Sequence, residues 1–225
     1  MAQNKIIQLD EYFKDHKVIY RIFISEFLGS LLLLSSLIFL NSLKLDNIEF
    51  GAIVGLLVLT LVHVFGPISG AHFNPLITLG FVLMGDLKGR IFIIVNYIFP
   101  QILSAIIITI YLKFLNIANF DINIITMNAP NYITEMLGTF FLLLGIFELS
   151  SNGKLCPETK PFTGIAVGCL LASILILLGS FGAFLGNPGL LIIGLYGYAT
   201  ADWSFILLIN VFGGIAAYLT HRILH

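Results

Sequence analysis

Asn74-Pro75 and Asn187-Pro188 are the places in this chain where residue type and position point most directly to chemistry. Each pair opens a short apolar segment, 74–84 and 188–197. Proline suits the first position of a helix, where its missing N–H is not needed and its φ is already set. Asparagine suits the cap before it, and its amide also offers N–H donors to a neighbouring molecule. A helix N-terminus carries roughly half a positive charge from its aligned peptide dipoles. Two such ends beside a narrow passage repel cations, hydronium included, while two amide donors hydrogen-bond a neutral polar solute. Two acids, Glu26 and Glu135, sit inside apolar runs. A buried carboxylate there is either a functional group in its own right or an acceptor for nearby backbone N–H groups, and the second role is the expected one.

That chemistry needs elements that hold both segments away from bulk water, and the composition supplies them. Of 225 residues, 58% are hydrophobic and 10% are charged, against about 25% charged in soluble domains. Twenty Phe and 21 Gly fit the same class, because Gly is more frequent in membrane-spanning helices. A net charge of -1 leaves no electrostatic footprint for nucleic acid. Crossing the hydrocarbon core takes about 20 apolar residues. Six runs meet or approach that length, at 19–41, 50–65, 91–112, 132–150, 162–180 and 203–222. The segments 74–84 and 188–197 are too short to span and read as re-entrant half-helices. Because the runs are continuous rather than alternating, a β-barrel is excluded. The expected fold is an all-α membrane protein of six transmembrane helices and two half-helices.

The chain also repeats itself. Ile24-Ser25-Glu26-Phe27-Leu28-Gly29-Ser30 recurs as Ile133-Thr134-Glu135-Met136-Leu137-Gly138-Thr139, 109 residues on. Asn74-Pro75 recurs as Asn187-Pro188, 113 residues on. Each half holds three spans, an odd number, so the halves insert with opposite orientation. The half-helices then enter from opposite faces and their N-termini meet near the midplane. The expected organisation is a segment 1–18, a first repeat 19–112, a connection 113–131, a second repeat 132–222 and a tail 223–225. Placing the N-terminus inside puts Lys5, Lys14, Lys17, Arg21, Lys88, Arg90, Lys154, Lys160 and Arg222 on the cytoplasmic side and only Lys44 and Lys113 outside. That bias predicts a plasma (inner) membrane protein with both termini cytoplasmic. Residues 5–17 read as a short interfacial helix rather than a cleavable signal.

Glu26-Phe27-Leu28-Gly29, Ser69-Gly70-Ala71-His72-Phe73-Asn74-Pro75, the repeated Glu135 and Gly213-Gly214-Ile215-Ala216-Ala217 together resemble the aquaporin/aquaglyceroporin (major intrinsic protein) family. The resemblance covers about residues 20–222. It implies a right-handed bundle, a homotetramer with one pore per protomer, small neutral solutes as the permeating molecules and no cofactor. This chain departs from the family's pattern at the motifs. Asn-Pro-Ala is replaced by Asn74-Pro75-Leu76 and Asn187-Pro188-Gly189, where added bulk in one motif and lost bulk in the other are expected to offset each other. The Arg that usually follows the second motif is Leu190. Family spacing from the two Asn residues assigns Val54, Leu175, Phe184 and Leu190 to the selectivity filter. Such a filter has no charge and no side-chain donor, which favours glycerol-like solutes, metalloids or organoarsenicals over fast water transport.

The remaining polar residues divide between pore and scaffold. His72 reads as lining the cytoplasmic mouth or as a structural hydrogen-bonding residue. His63 lies half a turn from the pore face and reads as a helix-contact histidine. Gln101 reads as facing a neighbouring helix, Glu148 as solvated or paired, and Asp202 as the cap of the last span. Gly213 to Ala217 permit close helix contact. A Cys156–Cys169 disulfide is implausible, and no Cys/His spacing matches a zinc site. With no His/Asp/Glu cluster, nucleophile–base pair or phosphate loop, an enzyme is not expected and no catalytic or metal residue is assigned. A closed-pore structural or adhesion protein on the same fold is the alternative to a channel.

Overall fold

A computed structural model describes residues 16–87, 89–115, 129–155, 157–182, 184–197 and 203–225. Most of the 5–17 segment and of the 113–131 connection lies outside the described residues, as do Lys88, Cys156 and Asp202. The elements run α1 (His16–Ser42), α2 (Asn47–Ser69), α3 (Pro75–Leu83), α4 (Arg90–Ile93), a π turn (Ile94–Ile98), α5 (Phe99–Phe114), α6 (Ala129–Leu155), a 3-10 turn (Pro157–Phe162), α7 (Thr163–Gly179), α8 (Pro188–Gly197) and α9 (Trp203–Leu224). There is no strand among the described residues.

All six apolar runs are helices long and apolar enough to cross a membrane: Lys17–Ser42, Asn47–Ser69, Ile91–Phe114, Tyr132–Ser151, Lys160–Gly179 and Ser204–Leu224. The second begins earlier than its apolar run, because Asp46 and Glu49 form a capping box. Asp46 accepts from the N–H groups of Ile48 and Glu49 at 2.9 and 2.8 Å, and Glu49 accepts from the Asp46 N–H at 3.2 Å. It ends at Gly70, whose φ of 91° is left-handed and comes without the steric penalty a Cβ would bring. In the third span Pro100, with no N–H to donate, sits just after the π turn. Exposed apolar side chains such as Phe39, Ile110, Phe114 and Phe212 clothe the outside, as hydrocarbon requires.

Packing follows the duplication. Helix α1 packs against α5 as α6 packs against α9, and α2 packs against α7 in the most extensive contact of all. That last pair is the same element from the two halves, meeting at the repeat interface. Its closeness depends on two glycines. A Cβ on Gly55 would stand 2.7 Å from the Gly168 carbonyl oxygen, and a Cβ on Gly168 would stand 2.5 Å from the Gly55 carbonyl oxygen. In lipid, where helix association gains little from hydrophobicity, such small residues let backbones reach van der Waals contact. At Gly213 a Cβ would lie 2.6 Å from the Met136 carbonyl oxygen, so this stretch also permits close helix contact.

Gly168→Ala should therefore destabilise the protein by about 1–3 kcal/mol, the usual cost of overpacking. Gly66→Ala, where the nearest atom to an added Cβ is Val62 Cγ1 at 3.7 Å, should leave stability unchanged or slightly raised. Thermal unfolding in detergent, followed by intrinsic fluorescence, checks the pair.

Candidate functional site

The two half-helices start in matching fashion. Asn74 is extended at φ -152° and caps α3, its Oδ1 accepting from the Leu76 N–H at 2.8 Å. Asn187 Oδ1 accepts from the Gly189 N–H at 2.9 Å at the start of α8. Pro75 and Pro188 fill the first helical positions. The amide nitrogens then reach across the repeat. Asn74 Nδ2 donates to the Gly186 carbonyl at 2.7 Å, and Asn187 Nδ2 donates to the Phe73 carbonyl at 3.0 Å. Each amide nitrogen carries two hydrogens, so one locks the opposite loop and the other is left for the cavity that both residues line.

The loops that present these carbonyls turn left-handed in the same place, with strain only in the first. Phe73 has φ 49° and Gly186 has φ 54°, both left-handed. Ala71 is left-handed too, at φ 54°. For non-glycine residues that conformation costs about 1–3 kcal/mol and persists only where the surroundings fix it. Glu26 fixes the first loop. Its Oε1 accepts from Ser69 Oγ at 2.6 Å and the His72 N–H at 3.1 Å; its Oε2 accepts from the Phe73 N–H and Gln101 Nε2, both at 2.8 Å. Ser69 is held in turn by Ser25 Oγ at 3.0 Å, and its carbonyl accepts from the Tyr97 hydroxyl at 2.9 Å. Glu135 serves the second loop, accepting from the Leu185 and Gly186 N–H groups. Both acids are fully buried behind the loops, outside the cavity wall.

In front of the loops lies one continuous cavity of about 1040 Å³. Asn47, Phe50, Val54, Val58, Val62 and Gly66 of α2 line it along one helical face. At 1.5 Å per residue that face is roughly 28 Å long, close to the thickness of a bilayer's hydrocarbon core. Thr163, Val167, Leu171, Leu175 and Gly179 of α7 form a second wall. Val54, Leu175, Phe184 and Leu190 all border the cavity, together with His72, Asn74 and Asn187. The Phe184 ring is wedged against Gly138 and Gly186 where side chains would otherwise stand, as the Phe73 ring is wedged against Gly29. A Cβ at Gly189 would meet Leu34 Cδ1 at 2.9 Å. Leu34 of α1 therefore packs into the room beside Gly189.

His72 is both a cavity-wall residue and a hydrogen-bonded one. It borders the cavity, its Nδ1 lies 3.2 Å from Thr78 Oγ1, and its ring is stacked on Phe81 at 4.7 Å and against Tyr97 at 4.8 Å. His63 makes the expected helix contacts, Nδ1 to the Leu59 carbonyl at 2.8 Å and Nε2 to the Pro161 carbonyl at 3.2 Å. It nevertheless borders the cavity, contrary to its half-turn offset from Val54. The wall there includes Lys160 and Pro161 of the 3-10 turn, which face that side of α2.

Comparison with known proteins agrees with this geometry. The major intrinsic protein family model matches residues 14–190. The chain belongs to the major intrinsic protein family. It is 30% identical over 215 residues to a probable glycerol uptake facilitator protein of Thermotoga maritima, covering 82% of this chain and 89% of that one. It is 28% identical over 152 residues to the aquaporin AqpM of Methanothermobacter marburgensis, covering 64% of this chain and 60% of that one. In fold it is similar to the X-ray structure of the aquaglyceroporin from Plasmodium falciparum, with TM-score 0.70 at 23% identity over 91% of this chain and 95% of that one. Members of this family are channels, so the chain is a multi-pass membrane channel for small solutes and not an enzyme.

Sequence reading missed three parts of this channel. Gln101 does face a neighbouring helix, as read, but its role there was not foreseen: its Nε2 donates to Glu26 Oε2 at 2.8 Å and to Thr78 Oγ1 at 3.1 Å. Asn210 accepts from Thr139 Oγ1 at 2.7 Å in the second half. The signal was present: Gln101 and Asn210 are 109 positions apart, as Glu26 and Glu135 are. The third is a cluster of Glu148, His221 and His225 where none was expected, because α6 and α9 bring together residues more than 70 positions apart.

Glu26→Gln tests the loop clamp. Either orientation of the new amide sets its NH₂ against a backbone donor, His72 N–H on one side or Phe73 N–H on the other. One buried N–H is stranded in each case, at about 1–3 kcal/mol. A lowered thermal midpoint in detergent and reduced solute flux in proteoliposomes are the expected outcome.

Proposed function

We propose that this channel passes small uncharged solutes passively through a pore in each protomer of a homotetramer, with Val54, Leu175, Phe184 and Leu190 as its selectivity filter. Glycerol-like molecules, neutral metalloids and organoarsenicals are the favoured solutes. The observation that carries this reading is the character of the cavity wall. Both Asn74 and Asn187 line it, yet aliphatic and aromatic side chains make up most of the rest, and Leu190 stands where the family usually carries Arg. Water entering an apolar constriction gives up partners that a guanidinium would supply. Each net hydrogen bond is worth about 0.5–1.5 kcal/mol, so losing one or two slows water by roughly tenfold or more. Solutes with apolar surface lose less. Exclusion of cations then rests on the Asn74/Asn187 midpoint, where two helix N-termini face one another. His72 lines the cytoplasmic mouth in this reading, and the charge bias of the connections supports an inner-membrane location with both termini cytoplasmic.

Stopped-flow light scattering on proteoliposomes tests it. Glycerol, urea or arsenite should enter faster than into empty liposomes, and water only modestly faster. Leu190→Arg should raise the water-to-glycerol permeability ratio by about tenfold, the equivalent of one to two hydrogen bonds. If no solute and no water permeates above background, the closed-pore structural reading replaces the channel.

A further inference from the structure

Glu148 on α6 stands opposite His221 and His225 at the end of α9. Glu148 Oε1 lies 2.7 Å from His221 Nδ1, and Oε2 lies 2.9 Å from His225 Nε2. The candidate donor atoms of the three side chains all fall within 4.8 Å of one another. We propose that Glu148, His221 and His225 form a binding site for a divalent transition metal of the zinc–cobalt–nickel class.

The sequence supplies half of the site locally. His221 and His225 are four positions apart at the end of α9, which brings their rings side by side, with centroids 4.8 Å apart and planes tilted by 44°. The tertiary fold supplies the rest, by docking α9 on α6. His221 is held before any metal arrives: its side chain is 8% exposed, its ring packs on Phe147 at 5.9 Å, and Ser151 Oγ lies 3.4 Å from its Nε2. A partner on the far ring nitrogen is what orients a metal-binding imidazole. His225, at 36% side-chain exposure, leaves the site open to entry from solvent.

Donor chemistry sets the class of metal. Two imidazole nitrogens and one carboxylate suit zinc, cobalt or nickel; magnesium and calcium favour all-oxygen sets. Ligands at 2.0–2.1 Å from one tetrahedral ion stand roughly 3.3 Å apart. The three groups meet that spacing by small side-chain rotations, with water in the remaining coordination positions. Bound metal ties α9 to α6, and Phe147, which touches His221, in turn meets Phe81 at 6.3 Å in the cavity wall.

Cobalt(II) titration of the full chain, purified in detergent without a polyhistidine tag, tests the site. The expected result is a visible d–d absorption that saturates at about one Co²⁺ per chain. Zn²⁺ should abolish it and excess Mg²⁺ should not. His225→Ala and Glu148→Gln should each weaken Co²⁺ binding by at least about tenfold. Because His225 is exposed, its loss leaves the fold intact, and an unchanged size-exclusion profile verifies that. Absence of a saturable cobalt spectrum overturns the proposal, as does a spectrum that survives both substitutions.

Discussion

Asn74 donates to the Gly186 carbonyl and Asn187 donates to the Phe73 carbonyl, so each half of the chain is fastened to the other at the tip of its own half-helix. This exchange is the constraint that the other features serve. A half-helix that stops at membrane depth exposes N–H groups that water cannot reach, and each unsatisfied group there is costly. The asparagines cap their own helices with Oδ1 and bridge the repeat with Nδ2, and they still line the cavity. No other side chain with so few atoms does all three.

The crossed bonds need carbonyls aimed at the partner loop, and that requires left-handed residues immediately before each Asn. Gly186 adopts this conformation freely, whereas Phe73 is strained. The two halves are braced accordingly. Around Glu26 gather two backbone N–H groups, Ser69 and Gln101, with Ser25 and Tyr97 behind them. Glu135 binds the backbone of the second loop, where glycine has removed the strain. The buried acids are thus part of the scaffold, one layer behind the cavity, and neither carboxylate reaches a wall that is mostly aliphatic and aromatic.

Much of this could be read from residue types at short range. Helical spans follow from apolar runs of sufficient length, and the half-helices from Asn-Pro beside segments too short to cross. Inversion follows from three spans per half. Glu26 and Glu135 announce themselves as acids in lipid-depth segments. Where reading failed, the cause was distance along the chain. Gln101 looks like any polar residue on a helix until α5 is docked on α1. His63 faces the cavity because the turn over Pro157–Phe162 closes on that side of α2. Leu34, 155 positions before Gly189, fills a gap that the local motif cannot explain.

By itself, then, the sequence determined that the chain spans a membrane six times, that it does so as an inverted duplication, and that two asparagine-capped half-helices meet inside it. Hydrophobic length, capping chemistry and repetition are local properties, so residues near one another carry them. Only the tertiary structure decided which carbonyl each asparagine holds, which residues brace Glu26, how an apolar wall continues along α2 and α7, and that Glu148 meets His221 and His225. The hydrogen bonds among them, from Ser69–Glu26 to Asn187–Phe73, join residues 43 to 114 positions apart. They exist only once the Gly55–Gly168 crossing and the other close packings have brought the helices together.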